Sequence, residues 1–413
     1  MRKIIFVIMA LMLCTFAVSA RWSPGLEIDQ NENITFDDGF ITGAGGIEFN
    51  GTAPTSTTGV LYSDGSTLLY GGQSIGRTAG AYDCRIYKAG SNTVSVDMNG
   101  TVINSSATAD DVLDYAVANY NHIYIHAGNY TGISLNLSGV HPIIEGAGKD
   151  ETILYNHVNT TPIIDIRNTG YETGPTLKSL QIKSNDVATG VAVGYVAMTK
   201  LMDDVKISHC YLGLWVASTS FLNDYYSVDI SNCFYGLRMN STSLVTTQRF
   251  FGGQVRSSTR YGVWLTNAAV GNLFTGTCIE YNGDDTFPNV YIHCTNGSYL
   301  TQNNVFSNCW FEDDTFIIGI NGASEWVSPR GNVIQNCHFV AMDADVVCYK
   351  LMAGRRNIFT GNYLDSSGND GKLETSATHA VANVFVNNID DGSGVDWALT
   401  DGGSSTISTP NFW

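Results

Sequence analysis

NLFTGTCIE at 272–280, NVFSNCWFE at 304–312, NVIQNCHFV at 332–340, NIFTGNYLD at 357–365 and NVFVNNIDD at 383–391 are five versions of one phrase. Each opens on Asn, places an apolar residue third and Gly or Asn fifth, and most close on or near an acid. A looser form runs upstream as VKISHCYLG from Val205, VDISNCFYG from Val228 and RFFGGQVRS from Arg249. The third slot then reads Ile207, Ile230, Phe251, Phe274, Phe306, Ile334, Phe359 and Phe385. A spacing of 21 to 32 residues marks a repeat architecture in which no unit buries its apolar face alone.

The content of the unit selects the kind of repeat. The phrase is β-branched and aromatic, has no 3.6-residue periodicity, and is bounded by Asn, Gly and Ser, so it reads as a short strand followed by a turn. Helical and leucine-rich repeats do not fit. In a parallel β-helix, equivalent residues of successive coils stack at the strand spacing of about 4.8 Å, and the third slot becomes an interior ladder. Asn or Gly in the fifth slot suits a bend at positive φ, and stacked Asn side chains can hydrogen-bond from coil to coil. The longer intervals, such as Phe274 to Phe306, then carry insertions.

Composition agrees. The 413 residues include 43 Gly, only 8 Pro and only 14% charged residues; about 25% is usual for a globular protein. A solenoid buries its core coil by coil, so this length does not require several compact domains. Residues 1–20, with Arg2 and Lys3, the apolar run 4–18 and the small residues Ser19 and Ala20, read as a secretory signal peptide. Its removal takes the formal charge from −17 to −19 and leaves no expected membrane span. That balance disfavours nucleic acid and anionic membranes, and favours non-anionic glycans over acidic ones as partners of a secreted or cell-surface protein. Of nine cysteines, Cys14 lies in the leader. Cys210, Cys233, Cys309 and Cys337 occupy the sixth slot, so stacking brings 210 to 233 and 309 to 337, as disulfides or as buried thiols.

Along the chain, 21–80 reads as a β-hairpin-rich module around stretches such as GVLYSDGSTLLYGG, and 81–105 as a short β-rich connector. One amphipathic helix is expected at 106–120, with Leu113, Ala116, Val117 and Tyr120 on one face, placed to cap the open end of the solenoid. The coil occupies 106–395, and 396–413 is a tail. That helix, then HIYIHAGNY at 122–130, IIEGAG at 143–148 and TIL at 152–154, resembles the opening of pectate-lyase-like proteins. The resemblance implies an all-β, right-handed parallel β-helix. It also implies one of several occupations: polysaccharide lyase, glycoside hydrolase, or a non-catalytic tailspike-like adhesin or structural surface protein. In the adhesin case the expected assembly is a homotrimer. Of the motif set of galacturonan hydrolases, NxD, DD, GHG and RxK, Asp203-Asp204 gives a DD, and no GHG or RxK is present.

Activity depends on side chains grafted onto the coil. If a lyase-type calcium ion is used, Asp203, Asp204 and Asp229 with Arg238 as the base, or else Asp313 and Asp314, could be assembled into its site; no cofactor is required by the sequence. Glu280 and Glu312 share the ninth slot of adjacent coils, as do Asp365 and Asp391 further on. Stacking sets Glu280 and Glu312 roughly 5 Å apart, the separation of a retaining glycosidase pair. The same slot suits solvated turn acids. For binding, Tyr211, Trp215, Tyr225, Tyr226, Tyr235, Tyr261, Trp264 and Trp310 form an expected row, about half of it in the core. Within GLWV, GLRM and GVWL, Trp215, Arg238 and Trp264 share one position, and with Trp310 they are the expected substrate-binding set.

Overall fold

The computed structural model describes Tyr82 to Asp390 with short interruptions; outside that range it describes only strand segments, five before Tyr82 and two after Asp390. The expected leader, Asp314 and Asp391 lie outside the described residues. Two units are present, Met1–Tyr82 and Asp83–Trp413. In the first, Leu26–Ile28 pairs antiparallel with Ile34–Phe36. Leu61–Ser63 pairs antiparallel with Leu68–Tyr70, and that strand with Gln73–Ser74, as hairpins require.

The second unit is a right-handed parallel β-helix of about nine turns. One coil shows the plan. Val263–Thr266 belongs to an 11-stranded parallel sheet, Ala269–Val270 makes a short corner strand, and Leu273–Thr275 and Cys278–Glu280 lie in a 24-stranded sheet. The chain then returns to the first sheet at Val290–Cys294. The bend between the two three-residue strands falls on the fifth slot. Gly276, Asn308, Asn336, Gly361 and Asn387 all have positive φ, between 52° and 65°, the region open to Gly and tolerated by Asn.

Two interior columns lock the register. Phe274 lies on Phe306, with ring centroids 4.6 Å apart and planes within 5°. Phe250 and Tyr225 continue the stack upstream, and Ile334, Phe359 and Phe385 continue it downstream, every one of the last three at most 1% exposed. The second column is the first-slot asparagine. Asn272, Asn304, Asn332, Asn357 and Asn383 are buried, and each of the first four donates its Nδ2 to the Oδ1 of the next at 2.9–3.1 Å. The same oxygens accept main-chain amides, so one side chain satisfies several groups at a buried corner.

The structure corrects the alignment of the looser phrases. Phe250, not Phe251, enters the column, since Phe250 pairs with Phe274 and Phe251 with Thr275. Ile207 and Ile230 belong to the other strand of the coil, in a column with Val255, Ile279, Phe311, Phe339 and Leu364. Both strands carry one inward apolar residue between two outward ones, so the local patterns are alike. For the same reason the four cysteines stand at two corners: Cys309 and Cys337 follow the first strand, Cys210 and Cys233 the second. All four are buried free thiols. Within the phrase, the asparagine side chains that hydrogen-bond to one another from coil to coil are those of the first slot, joined by Asn362 and Asn388, which replace cysteine in the last coils; the fifth-slot Asn308 and Asn336 are exposed.

The helix is shorter than expected, Ala109–Asn119, because Thr108 and Tyr120 are both extended. Ala109, Val112, Leu113, Ala116 and Val117 face the first coil, while Tyr120 ends the helix and packs at its rim. Strand Cys84–Ala89 pairs in parallel with His122–Ile125 and so extends the sheet beneath the helix. Among the described residues no helix is long and apolar enough to cross a membrane.

Deleting one rung's amide tests the asparagine column. Asn304→Ala removes the acceptor of Asn272 and the donor to Asn332, and each buried group left unpaired costs about 1–3 kcal/mol. Urea unfolding of Asn304→Ala should shift to clearly lower denaturant, while Asn308→Gly, at an exposed positive-φ bend, should shift little. Equal midpoints for the two variants would contradict the account.

Candidate functional site

The candidate residues fall on two separate faces. On the outside of the 24-stranded sheet, Glu280 and Glu312 are register partners one rung apart, and Arg256 precedes them in the same row. Glu312 accepts hydrogen bonds from the Trp310 indole N–H at 2.9 Å and from the Tyr281 hydroxyl of the rung above. Glu280 accepts from the Cys278 thiol at 3.4 Å, with the Arg256 guanidinium at 4.0 Å. Burial, and then the charge of Glu280, push the Cys278 thiol up to about 12. The neighbouring outward row is Cys278, Trp310, His338 and Tyr363. The His338 ring lies edge-on between Trp310 and Tyr363, at 4.3 and 4.8 Å, and its Nε2 is 3.6 Å from Asp365. This face is a carboxylate pair flanked by an exposed aromatic column.

The other face is the outside of the 11-stranded sheet. Trp215, Arg238, Trp264 and Tyr291 are consecutive register partners in one row. Their strands put Leu214, Val216, Leu237, Met239 and Leu265 inward, and period-two alternation sends the indoles and the guanidinium outward. The Arg238 guanidinium sits 4.2 Å from the Trp264 ring centroid, and Arg167, itself held by Asp165, lies 5.5 Å from Trp215. The Trp215 indole N–H donates to Asn240 at 2.8 Å. Beside the row, Tyr261 contacts Trp264 at 5.1 Å and stacks on Tyr291 at 4.8 Å, and Tyr291 stacks on His293. Tyr235 touches Trp264 at 5.5 Å.

Trp310 therefore does not join Trp215 and Trp264; it stands in the acid row's sheet, because its phrase ends in the second short strand and theirs begins the long one. The expected half-buried partition also fails. Of the eight aromatics, Tyr225 alone is in the core, since only its position alternates inward. The residues that sequence reasoning left out are Arg256, Cys278, Tyr281 and Tyr363 on the first face and Arg260 and Tyr291 on the second. Tyr291 was recoverable by continuing the Trp264 position one coil further; Tyr281 sits at a positive-φ bend that no slot rule marks.

Asp203 pairs with Lys200 at 2.8 Å, and Asp204 and Asp229 share Lys149 at 3.0 Å each. These acids meet lysines, and no cluster of three His, Cys, Asp or Glu side chains able to hold a metal occurs among the described residues. His209 stands at a half-exposed positive-φ bend, 4.0 Å from Asp186.

No protein-family model matches the chain, and no curated protein matches it. Solved structures do. The Dettilon tailspike protein superposes with a TM-score of 0.49 at 11% identity, over 70% of this chain and 62% of that one. DFA-IIIase from Arthrobacter chlorophenolicus A6, in complex with GF2, gives 0.46 at 13% identity, over 70% of this chain and 83% of that one. ORF18 of Geobacillus virus E2 gives 0.45 at 14%, over 70% of this chain, which spans about half, 52%, of that protein. These are likenesses of fold; the β-helix itself is established by the strand pairing above.

The Cys278–Glu280 contact predicts a thiol that is accessible yet slow. Cys278 is the one described cysteine that is not buried. A native thiol titration at pH 8 should show one sluggish reacting group, and Glu280→Gln should speed it by lowering the thiol's pKa toward its ordinary value. A rate unchanged by Glu280→Gln would contradict the contact.

Proposed function

We propose that this chain is an extracellular carbohydrate-binding β-helix whose glycan lies along the 11-stranded sheet. The observation that carries the reading is the unbroken row Trp215, Arg238, Trp264 and Tyr291, one residue per coil on a rigid parallel sheet. Flat half-exposed rings desolvate the apolar face of a pyranose and lose little rotamer freedom in doing so. Rungs repeat about every 4.8 Å, so a saccharide running along the coil axis meets a ring, a cation and a ring on successive rungs. Export rests on the 1–20 segment, and attachment to a surface or virion on the hairpin-rich front; a trimer belongs to the adhesin version of the same reading. In binding assays with the full chain against a polysaccharide panel, Trp264→Ala and Trp215→Ala should each weaken binding roughly tenfold, about 1.4 kcal/mol. Undiminished binding in both variants would reject the row as the glycan site.

A second reading is favoured by one observation, the register pairing of Glu280 with Glu312. Two carboxylates a rung apart, beside the exposed Trp310 and Tyr363, have the arrangement of an acid and nucleophile for glycoside cleavage. In the resting arrangement each accepts hydrogen bonds from neighbouring side chains, so a substrate would have to displace Tyr281 or Trp310 from Glu312. Reducing-end release and absorbance of unsaturated uronides distinguish hydrolase from lyase. Activity abolished by Glu280→Gln or Glu312→Gln, with binding retained, would establish cleavage; binding with no product leaves a lectin-like adhesin.

A further inference from the structure

The chain has 38 acidic and 21 basic side chains, a balance that by itself repels acidic ligands. Several of its cations meet carboxylates. Arg167 is bound by Asp165 through two hydrogen bonds at 2.6 and 2.9 Å, Arg249 by Asp224, Lys149 by Asp204 and Asp229, Lys178 by Glu145 and Lys200 by Asp203. Arg238 and Arg260 are held differently, by rings. Neither has a carboxylate partner among the described residues. Arg260 donates to the Tyr235 hydroxyl at 3.1 Å and otherwise lies over the rings of Phe234, Tyr235 and Phe287, at 5.0, 5.9 and 4.6 Å. Arg238 lies over Trp264, and its Nε, screened from solvent, has no hydrogen-bond acceptor; the Trp264 indole N–H beside it has none either.

Guanidinium groups are donors only and carry a fixed positive charge, so what Arg238 and Arg260 can offer a ligand is hydrogen bonds to an acceptor, best an anionic one. A desolvated cation without a counter-ion is costly, and burial pushes the Arg238 guanidinium down from its ordinary value against the opposing influence of Tyr235 and Tyr211. Asp284, whose charge reaches Tyr261, does not fill the role, because its carboxylate accepts the main-chain amides of Thr286 and Phe287. Tyr235 links the two arginines, touching the Trp264 ring and bonding Arg260.

From this we infer that the aromatic row is an acidic-sugar site, in which Arg238 and Arg260 take the anionic group of a saccharide stacked on Trp264. A planar fork accepts a carboxylate or a sulfate ester alike. The inference rests on the glycan reading above and sharpens it. It also reverses the expectation drawn from net charge, because the field at a site is set by its nearest groups.

The test measures binding of the full chain at physiological salt to polygalacturonate, alginate and hyaluronan, to κ-carrageenan, and to neutral galactan, xylan and dextran. At least one charged polymer should bind, and the class that binds tells carboxylate from sulfate. Arg238→Gln and Arg260→Gln should each weaken that binding tenfold or more with an unchanged thermal unfolding midpoint, and Arg238→Lys should restore part of it. If a glutamine variant fails to fold, the wild-type chain still decides the matter, since raising NaCl must weaken binding to the charged polymer. Trp264-dependent binding to neutral polymers alone would overturn the acidic-sugar inference and leave the glycan reading standing. No binding to any polymer would remove both, and charged-polymer binding indifferent to both arginine variants or to salt would overturn the inference.

Discussion

Everything in the coil depends on the vertical repetition of a buried amide. An asparagine side chain sealed away from water must give both donors and its acceptor to partners, and at the first slot those partners are the next coil's asparagine and the corner's main chain. A shift of one residue would orphan several groups at once and put the phenylalanine column out of contact. Aromatic stacking supplies burial without direction; the amides supply the direction. Together they fix which residues share a row, and rows are what the outside of this molecule has to offer chemistry.

The repeat was legible where it is tightest. From Asn272 onward each phrase contains both short strands in full, so matching Phe274 with Phe306 and Glu280 with Glu312 needed only counting. Upstream the same counting slipped. A three-residue strand with a central apolar residue looks the same whether it comes before or after the bend, and RFF offers two adjacent phenylalanines of which one turns inward. The faces were harder still. Trp215 and Trp264 occur in one kind of strand and Trp310 in another, yet locally each is an aromatic beside apolar residues. Only pairing across coils, which has no signature within a single phrase, separates them.

The two faces ask different things of a ligand. The acid face offers carboxylates that already hold donors, flanked by the Trp310–His338–Tyr363 column. The long-strand face offers rings and two guanidinium groups held by rings. Both are built on strands locked at every rung, so little side-chain or backbone ordering remains to oppose binding. An overall negative charge coexists with a local cationic site because no carboxylate partners Arg238 or Arg260 among the described residues. Net charge read from composition describes the molecule at a distance; the arginines act within a few ångströms.

The most direct measurement is proximity between coils at outward positions flanking the phenylalanine column. In a Cys278→Ser background, nitroxide labels at Thr275 and Ser307, register partners on adjacent rungs, should show strong spin–spin broadening, since parallel neighbours stand about 5 Å apart. Labels at Thr275 and Gln335, two rungs apart, should broaden much less. Spectra of the first pair that match the sum of its single labels would contradict stacking of one coil upon the next, and with it both rows on which the functional account stands.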